Sequence, residues 1–326
     1  MEVKNPIFLA VILYQVIYAG YFMLTKMAFD VGMNTFVFVF YRQAFATLFL
    51  SPFAFFSERK NVTPLSFSTL VKIFLLSLFG VTMSLDIFLI ALKYTTATLG
   101  AATSNTLPVI TFFLALLFRM ESVNLRRITG IMKIGGVSVC MGGVITIAFY
   151  QGPPLNLMVT HHRHHSEEQT IGTRTWINGV FLMLLANFSW SLWMILQVRV
   201  LKTYPSKLML TTMQCFISTM QSFVVAVAFA RDFQEWKIGF DARLLSVSYC
   251  GIAVTGLGFY LQSWVIEKKG PVFMAATTPL ITVFTMILSV FVLGEVLRLG
   301  RVVGAVLLVI GLYFVVWGKV KEEKKS

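Results

Sequence analysis

Ten apolar stretches, each about twenty residues long, occupy almost the whole chain and constrain its fold more than any other feature. A hydrocarbon core about 30 Å thick requires about 20 helical residues to cross it. Within that core only α-helices and closed β-barrels satisfy their own backbone hydrogen bonds, and barrel strands would alternate apolar and polar residues, which these stretches do not. The sequence therefore predicts an all-α membrane protein with ten transmembrane helices. The predicted spans are 7–28, 35–56, 69–92, 96–118, 128–150, 176–198, 208–230, 244–266, 272–293 and 299–318.

The composition supports a membrane protein and argues against several other classes. Hydrophobic residues form 57% of the 326 residues, and the mean hydropathy of +0.79 is well above what a soluble core requires. The net charge of +13 does not indicate nucleic-acid binding, because the basic residues cluster at the predicted span ends. The three cysteines fall within predicted spans, which argues against a disulfide framework. No nucleotide-binding loop or nucleophile–base set occurs, so we expect no enzymatic activity, no cofactor and no metal site.

Basic residues are distributed unequally between the two sides of the predicted spans. If the N-terminus is cytoplasmic, 17 Lys and Arg residues lie on the cytoplasmic side, 9 lie on the opposite side, and Arg42 falls within a span. Because positive residues favour the cytoplasmic side, we expect both termini to face the cytoplasm. We expect this multi-pass protein in the plasma membrane, with the vacuolar membrane as the alternative.

The second half of the chain repeats the order of polar residues in the first half at an offset of 172 residues. We interpret this as two five-helix repeats, 7–150 and 176–318, joined by an outer linker, 151–175, and followed by a basic cytoplasmic tail, 319–326; the alternative is chance matching of apolar segments. Because five is odd, the repeats would enter the membrane from opposite sides, which is an architecture that permits alternating access. The matches are Gln15 with Asn187, Tyr18 with Trp190, Arg42-Gln43 with Gln214-Cys215 and, after a slip of one residue, 107–111 with 278–282.

Three groups of residues, spread over nearly the whole chain, are specific in combination although each tripeptide alone is common. They are Tyr41-Arg42-Gln43-Ala44 with Ala46-Thr47, Pro52 and Glu58-Arg59-Lys60; 91–98 with Asn105, Pro108 and Arg119-Met120-Glu121; and 267–273 with Pro279 and Leu293-Gly294-Glu295. Together they resemble the plant nodulin-like branch of the drug/metabolite transporter superfamily. This branch carries the EamA domain and includes the walls-are-thin relatives and the amino-acid exporters.

The resemblance implies ten helices, two EamA repeats, and export or bidirectional transport of small organic solutes, mainly amino acids. Some members of the branch transport auxin or specialised metabolites. Two positions of this chain depart from the pattern. Asp86 stands where many relatives carry a neutral amide, which puts the coupling or the substrate in question, whereas Asn61 stands where a base is common and is expected to alter little.

Polar residues within the spans are candidate functional residues, because a polar group in hydrocarbon is costly unless it is paired or faces water. Arg42 lies roughly 6 Å from the predicted midplane at 1.5 Å per residue. Its guanidinium can bind an α-carboxylate through two parallel hydrogen bonds; the alternative is a structural ion pair with Asp86. Asp86 is the one acid well inside a predicted span, so it is the candidate for proton coupling.

Pro108 and Pro279 interrupt the fourth and ninth predicted helices at matching positions. A proline removes a backbone donor and frees a carbonyl, and paired interrupted helices point to a binding site at the midplane. The alternative is that the small residues near Asn105 serve close helix packing. We predict a substrate site at these interruptions.

The amide and aromatic pairs of the first and sixth spans would face each other across this site, where they suit a zwitterion with an apolar side chain. The alternative role for these amides is interhelical hydrogen bonding. The predicted substrate-binding residues are Gln15, Tyr18, Arg42, Gln43, Asn105, Asn187, Trp190, Gln214 and Thr278, with helix breaks at Pro108 and Pro279 and a coupling role for Asp86.

We expect a secondary carrier that moves amino acids, by export or bidirectional facilitation, through alternating access. The alternatives are an exporter of auxin or another small organic acid or metabolite, and a channel or lipid scramblase. A channel requires a continuous polar stripe or a charged ring, whereas the polar residues here are isolated near mid-depth. The expected partners are a small-molecule substrate, either an amino acid or an organic acid, and the lipid bilayer. We expect no nucleic-acid partner, and a homo-oligomer stays an open alternative.

Overall fold

The computed structural model describes residues 6–58, 66–95, 100–101, 103–120, 128–150, 152–153, 173–204, 206–292 and 299–323. Within these ranges the regular secondary structure is helical, and they contain no strand. Most of the predicted linker, including the histidine-rich run 161–165, lies outside the described residues, as does the end of the predicted tail beyond residue 323.

Long apolar helices account for most of the described residues. Seven of them are long and apolar enough to cross a membrane, and three more are shorter apolar helices. Two contain π-helical segments, Leu78–Thr82 and Cys250–Gly258, in which the backbone hydrogen bonds reach one residue further than in an α-helix. The helices are α1 (Pro6–Asp30), α2 (Thr35–Glu58), α3 (Phe67–Lys93), α4 (Leu107–Leu117), α5 (Ile128–Phe149), α6 (Thr173–Thr203), α7 (Lys207–Phe229), α8 (Ala242–Lys269), α9 (Pro271–Ala276 and Pro279–Val292) and α10 (Leu299–Glu323).

Polar side chains define where three of these helices begin. The first N–H groups of a helix have no partner within the helix, so a side-chain oxygen just before it stabilises its start. Asn34 before α2 and Asp241 before α8 each accept a hydrogen bond of 2.9 Å from the backbone N–H two residues later. Ser206 before α7 accepts one of 3.3 Å from the N–H three residues later.

The distribution of side chains on α7 is the reverse of that on a helix of a soluble protein. A group of its polar residues is buried against other helices, whereas a group of its large apolar residues is exposed. An exposed apolar face of this size is favourable where it contacts lipid. The buried polar residues are Gln214, Ser218, Gln221 and Ser222, and the exposed apolar residues are Phe216, Met220, Phe223, Val224 and Val227.

The helices pack in pairs that enclose a central region. α2 packs on α7, and α5 packs on α10. Where α5 crosses α10, a Cβ atom at Gly136 would lie 2.6 Å from the carbonyl oxygen of Gly311, and one at Gly311 would lie 2.6 Å from that of Gly136, so only glycine permits this approach. α1 packs against α8 and α9, while α6 packs against α3 and α4. The inner faces of α1 and α6 are thereby directed at the interrupted helices.

The helices α4 and α9 are irregular near Pro108 and Pro279. α4 is preceded by the 3₁₀ turn Ser104–Thr106, and Pro108 is its second residue. α9 has a turn at Thr277-Thr278, directly before Pro279. In both turns, backbone N–H groups bond to carbonyls three residues back instead of four. These turns change which carbonyls remain available to other helices.

Candidate functional site

A cavity lies between α1, α2, α3, α4, α6, α8 and α9, with about 640 Å³ of unfilled space that includes space open to solvent. The described residues that line it include three tyrosines, a tryptophan, an arginine, two amides and three hydroxyl side chains, and they include no acid. The cavity therefore offers one positive charge, several neutral hydrogen-bonding groups and large aromatic surfaces.

Aromatic rings form two walls of the cavity. Tyr14, Tyr18 and Tyr21 lie on one face of α1, as their spacing of four and three residues requires. The rings of Tyr14 and Tyr18 stack with centroids 4.4 Å apart, and the ring of Tyr21 meets Tyr18 edge-on at 5.8 Å. On α6, Trp190 packs edge-on against Phe259 of α8 at 5.5 Å. These contacts hold the rings in place, so an apolar group entering the cavity meets a preformed surface.

Arg42 supplies the positive charge and is fully buried in α2. Its Nε donates a hydrogen bond of 2.7 Å to Thr255 Oγ1 in the π-helical segment of α8. Its Cζ atom lies 4.9 Å from the centre of the Tyr21 ring, a distance at which a cation is attracted to the ring face. Its Nη1 has no hydrogen-bond partner among the described residues. A buried guanidinium nitrogen of this kind is a donor for an anionic ligand.

Arg42 and Asp86 do not form the ion pair that the sequence left open as an alternative. In the described part of the chain no salt bridge joins Arg42 to an acid. Asp86 is buried in α3 with 8% of its surface exposed, its Oδ1 has no hydrogen-bond partner among the described residues, and it does not line the cavity. The guanidinium of Arg42 points from α2 towards Thr255 of α8, whereas Asp86 is buried in α3. The two side chains therefore have separate surroundings.

Asn187 of α6 lines the cavity and contacts the interruption of α4. The Leu107 N–H bonds to the Ser104 carbonyl, which leaves the Thr103 carbonyl to other donors. Asn187 Nδ2 donates to this Thr103 oxygen at 2.9 Å and to Thr106 Oγ1 at 3.3 Å. The 3₁₀ turn before Pro108 thus provides the acceptor that orients Asn187.

Gln15 of α1 makes a similar contact with the interruption of α9. Its Nε2 donates a hydrogen bond of 2.6 Å to Thr277 Oγ1, and 1% of its surface is exposed. Unlike Asn187, it does not line the cavity. Each amide therefore holds a helix to a turn, and only the amide of α6 also faces the cavity.

The predicted substrate-binding residues fall into two groups. Five of them line the cavity, and four are buried behind its wall. Asn105 is in the second group because its Nδ2 donates to Thr282 Oγ1 at 2.7 Å, which joins α4 to α9. The lining residues are Tyr18, Arg42, Asn187, Trp190 and Thr278, and the others are Gln15, Gln43, Asn105 and Gln214. Pro108 and Pro279 follow the lining residues Leu107 and Thr278 without lining the cavity themselves.

Sequence reasoning missed five polar lining residues. Two of them, Tyr14 and Tyr21, carried a signal, because they share a helical face with Tyr18. The third is Gln262, whose Oε1 accepts a hydrogen bond of 3.3 Å from Tyr14. The internal repeat did not indicate it, because the residue 172 positions earlier is not polar. The other two are Ser84 and Ser104.

Comparison with known families identifies this arrangement. The model of the EamA-like transporter family matches the chain twice, over residues 5–149 and 177–317. The chain belongs to the EamA-like transporter family. Its sequence is 55% identical to the WAT1-related protein At5g64700 of Arabidopsis thaliana, over 100% of this chain and 93% of that protein. It is 49% identical to the WAT1-related protein At1g43650 of the same plant, over 99% of this chain and 94% of that protein.

The EamA family membership makes this chain a multi-pass membrane protein and a transporter. It confirms the resemblance to the plant walls-are-thin branch that the sequence motifs indicated. A crystal structure with 14% sequence identity superimposes with a TM-score of 0.63 and covers 95% of both chains, which shows the fold alone.

Proposed function

We propose that this EamA transporter is a secondary carrier that moves amino acids, by export or bidirectional facilitation, through alternating access. The observation that carries the proposal is Arg42, whose Nη1 has no partner among the described residues while its side chain lines the cavity. A planar guanidinium binds a carboxylate with better geometry than an ammonium group does. The α-carboxylate of an amino acid is the anion of the right size and charge for this position.

The remaining lining residues suit the other parts of an amino acid. Its ammonium group would be held by the hydroxyl oxygens of Ser104 and Thr278, which lie at the two helix interruptions, and by the faces of the tyrosine rings. Its side chain would lie against Trp190. Asn187, already oriented by the Thr103 carbonyl, retains its amide oxygen for the substrate.

The proposed architecture is ten transmembrane helices in two inverted repeats, 7–150 and 176–318, in the plasma membrane, with the linker 151–175 outside and both termini in the cytoplasm. The two family matches support it. The offset of 172 residues supports it as well. Thr47 of α2 and Thr219 of α7 are separated by this offset, and their hydroxyls hydrogen-bond at 3.1 Å. The first residues of the two π-helical segments, Leu78 and Cys250, have the same offset. Such symmetry supplies two equivalent conformations, one open to each side.

A second candidate function is the export of auxin or another small organic acid. The observation that favours it is that no acidic side chain is present among the described residues that line the cavity. An organic acid requires the cation but no partner for an ammonium group, so Arg42 and the aromatic walls would suffice. The two candidates differ in whether an ammonium group improves transport.

The test is saturable transport by the purified protein in liposomes, with a panel of labelled amino acids and auxin. Arg42→Lys keeps the charge and removes the planar fork, so we expect KM for the carboxylate substrate to rise roughly tenfold. The control is Arg199→Lys, the same change at an exposed arginine outside the cavity, which should leave KM unchanged. An unchanged KM in Arg42→Lys would contradict the carboxylate role. Transport of auxin without any amino acid would select the second candidate.

A further inference from the structure

Thr255 accepts a hydrogen bond from Arg42, and it is fully buried in the π-helical segment Cys250–Gly258. It does not line the cavity, so it has no direct contact with a substrate there. Its hydroxyl accepts a bond of 2.7 Å from Nε, the nitrogen nearest the aliphatic part of the arginine. A bond at Nε restricts rotation of the guanidinium plane while it leaves the outer nitrogens available.

The backbone of this segment lies unusually close to α2 at Arg42. A Cβ atom at Gly251 would lie 2.8 Å from the Arg42 carbonyl oxygen and 2.5 Å from Phe45 Cβ, so glycine is required for the approach. A π-helical turn holds about one more residue than an α-helical turn, and this extra residue changes which side chains face a neighbouring helix. The local backbone of α8 thereby brings the Thr255 hydroxyl to Arg42.

We propose that Thr255 is a positioning residue that orients Arg42 for the substrate carboxylate, an inference that rests on the proposed function. The Tyr21 ring covers one face of the guanidinium, and Thr255 holds its Nε edge. Two restraints from different helices fix the plane, and Nη1 is then the nitrogen without a partner among the described residues. Removing the hydroxyl leaves the charge in place but lets the plane turn about the Tyr21 face, so the two parallel hydrogen bonds to a carboxylate are lost.

The test compares variants of Thr255 and Arg42 in liposomes. The probes are the transported carboxylate from the panel above and its decarboxylated amine. Thr255→Val removes the hydroxyl at nearly constant shape, and we expect KM for the carboxylate to rise roughly tenfold, since hydrogen bonds to charged groups carry energies of this order. Thr255→Ser keeps the hydroxyl and should stay within about twofold of wild type. The ratio of carboxylate to amine transport should fall in Thr255→Val and not in Thr255→Ser.

A matched control variant and a test in an Arg42→Gln background separate a positioning role of Thr255 from a packing role. Thr285→Val removes another fully buried hydroxyl, one that has no hydrogen-bond partner among the described residues, and it should leave KM unchanged. In an Arg42→Gln background, Thr255→Val should change KM by less than about twofold. The effects of two substitutions are not additive when one residue acts through the other. If Thr255→Val does not reach the membrane, Thr255→Ala serves the same comparison.

The outcomes distinguish this inference from the proposed function. An equal effect of Thr255→Val in the wild-type protein and in the Arg42→Gln background would overturn the positioning role and indicate packing. A raised KM in Arg42→Gln with an unchanged KM in Thr255→Val would also overturn the positioning role, while the carboxylate role would stand. An unchanged KM in Arg42→Gln would overturn the carboxylate role itself.

Discussion

Alanine substitutions at Asn187 and Gln15 should separate substrate contact from helix packing. The two residues have the same offset of 172 residues that relates Thr47 to Thr219, and both amides bond to a turn in an interrupted helix. Only Asn187 lines the cavity. We therefore expect both substitutions to destabilise the protein and only Asn187→Ala to weaken transport beyond that loss.

The structure sets the size of each effect. Interhelical hydrogen bonds in membranes contribute about 0.6–1.7 kcal/mol. Asn187→Ala removes bonds of 2.9 and 3.3 Å, but the Thr103 carbonyl keeps the Thr106 hydroxyl at 2.8 Å and is not left unsatisfied, so we expect a loss of about 1 kcal/mol. Gln15→Ala removes a shorter bond of 2.6 Å and a fully packed side chain, and should cost at least as much. Loss of a substrate hydrogen bond in Asn187→Ala should raise KM roughly fivefold.

The assay measures the unfolding midpoint of each purified variant and the initial transport rate per protein molecule in liposomes. The expected result is a lowered midpoint in both variants and a raised KM in Asn187→Ala alone. Equal kinetic effects in the two variants would refute the assignment of the cavity as the substrate site. A normal KM in Asn187→Ala would remove this residue from the site.

Three further predictions test other parts of the account. Ser166→Cys in the predicted outer linker should react with a membrane-impermeant maleimide on intact cells; reaction only after permeabilisation would invert the topology. Any reduction of membrane expression in Arg42→Gln or Asp86→Asn should not be reversed when the two substitutions are combined, because the two side chains are not paired; full recovery would establish an ion pair. Trp190→Ala should raise KM roughly fivefold for amino acids with large apolar side chains and leave glycine unaffected, and an equal effect on both would exclude a side-chain contact.

The helical class of the protein followed from its sequence because bilayer thickness dictates the length of apolar stretches. The helices extend beyond the predicted spans: the span 176–198 lies inside α6, Thr173–Thr203, because a helix can continue past the hydrocarbon. The π-helical segments were not predicted. They depend on close contacts such as that of Gly251 with α2, and five to nine residues carry no periodic signal of their own.

Candidate site residues were predictable as polar groups within spans, but their orientation was not. Gln43 and Gln214 stand within helices as Arg42 does, yet neither lines the cavity, because the rotation of a helix is set by packing that the sequence of one helix does not contain. Gln262 lacked a polar counterpart in the first half, so the repeat gave no indication of it. The contact between Arg42 and Thr255 spans 213 residues and emerges only from the fold.

Counterflow in liposomes tests the proposed carrier most directly. Liposomes containing the purified protein are loaded with an unlabelled amino acid, and entry of the labelled amino acid is followed with and without this load. Alternating access predicts saturable entry that the internal substrate accelerates, because the loaded site returns from one side to the other. Entry that does not saturate and is indifferent to the internal amino acid would contradict a carrier and indicate a channel.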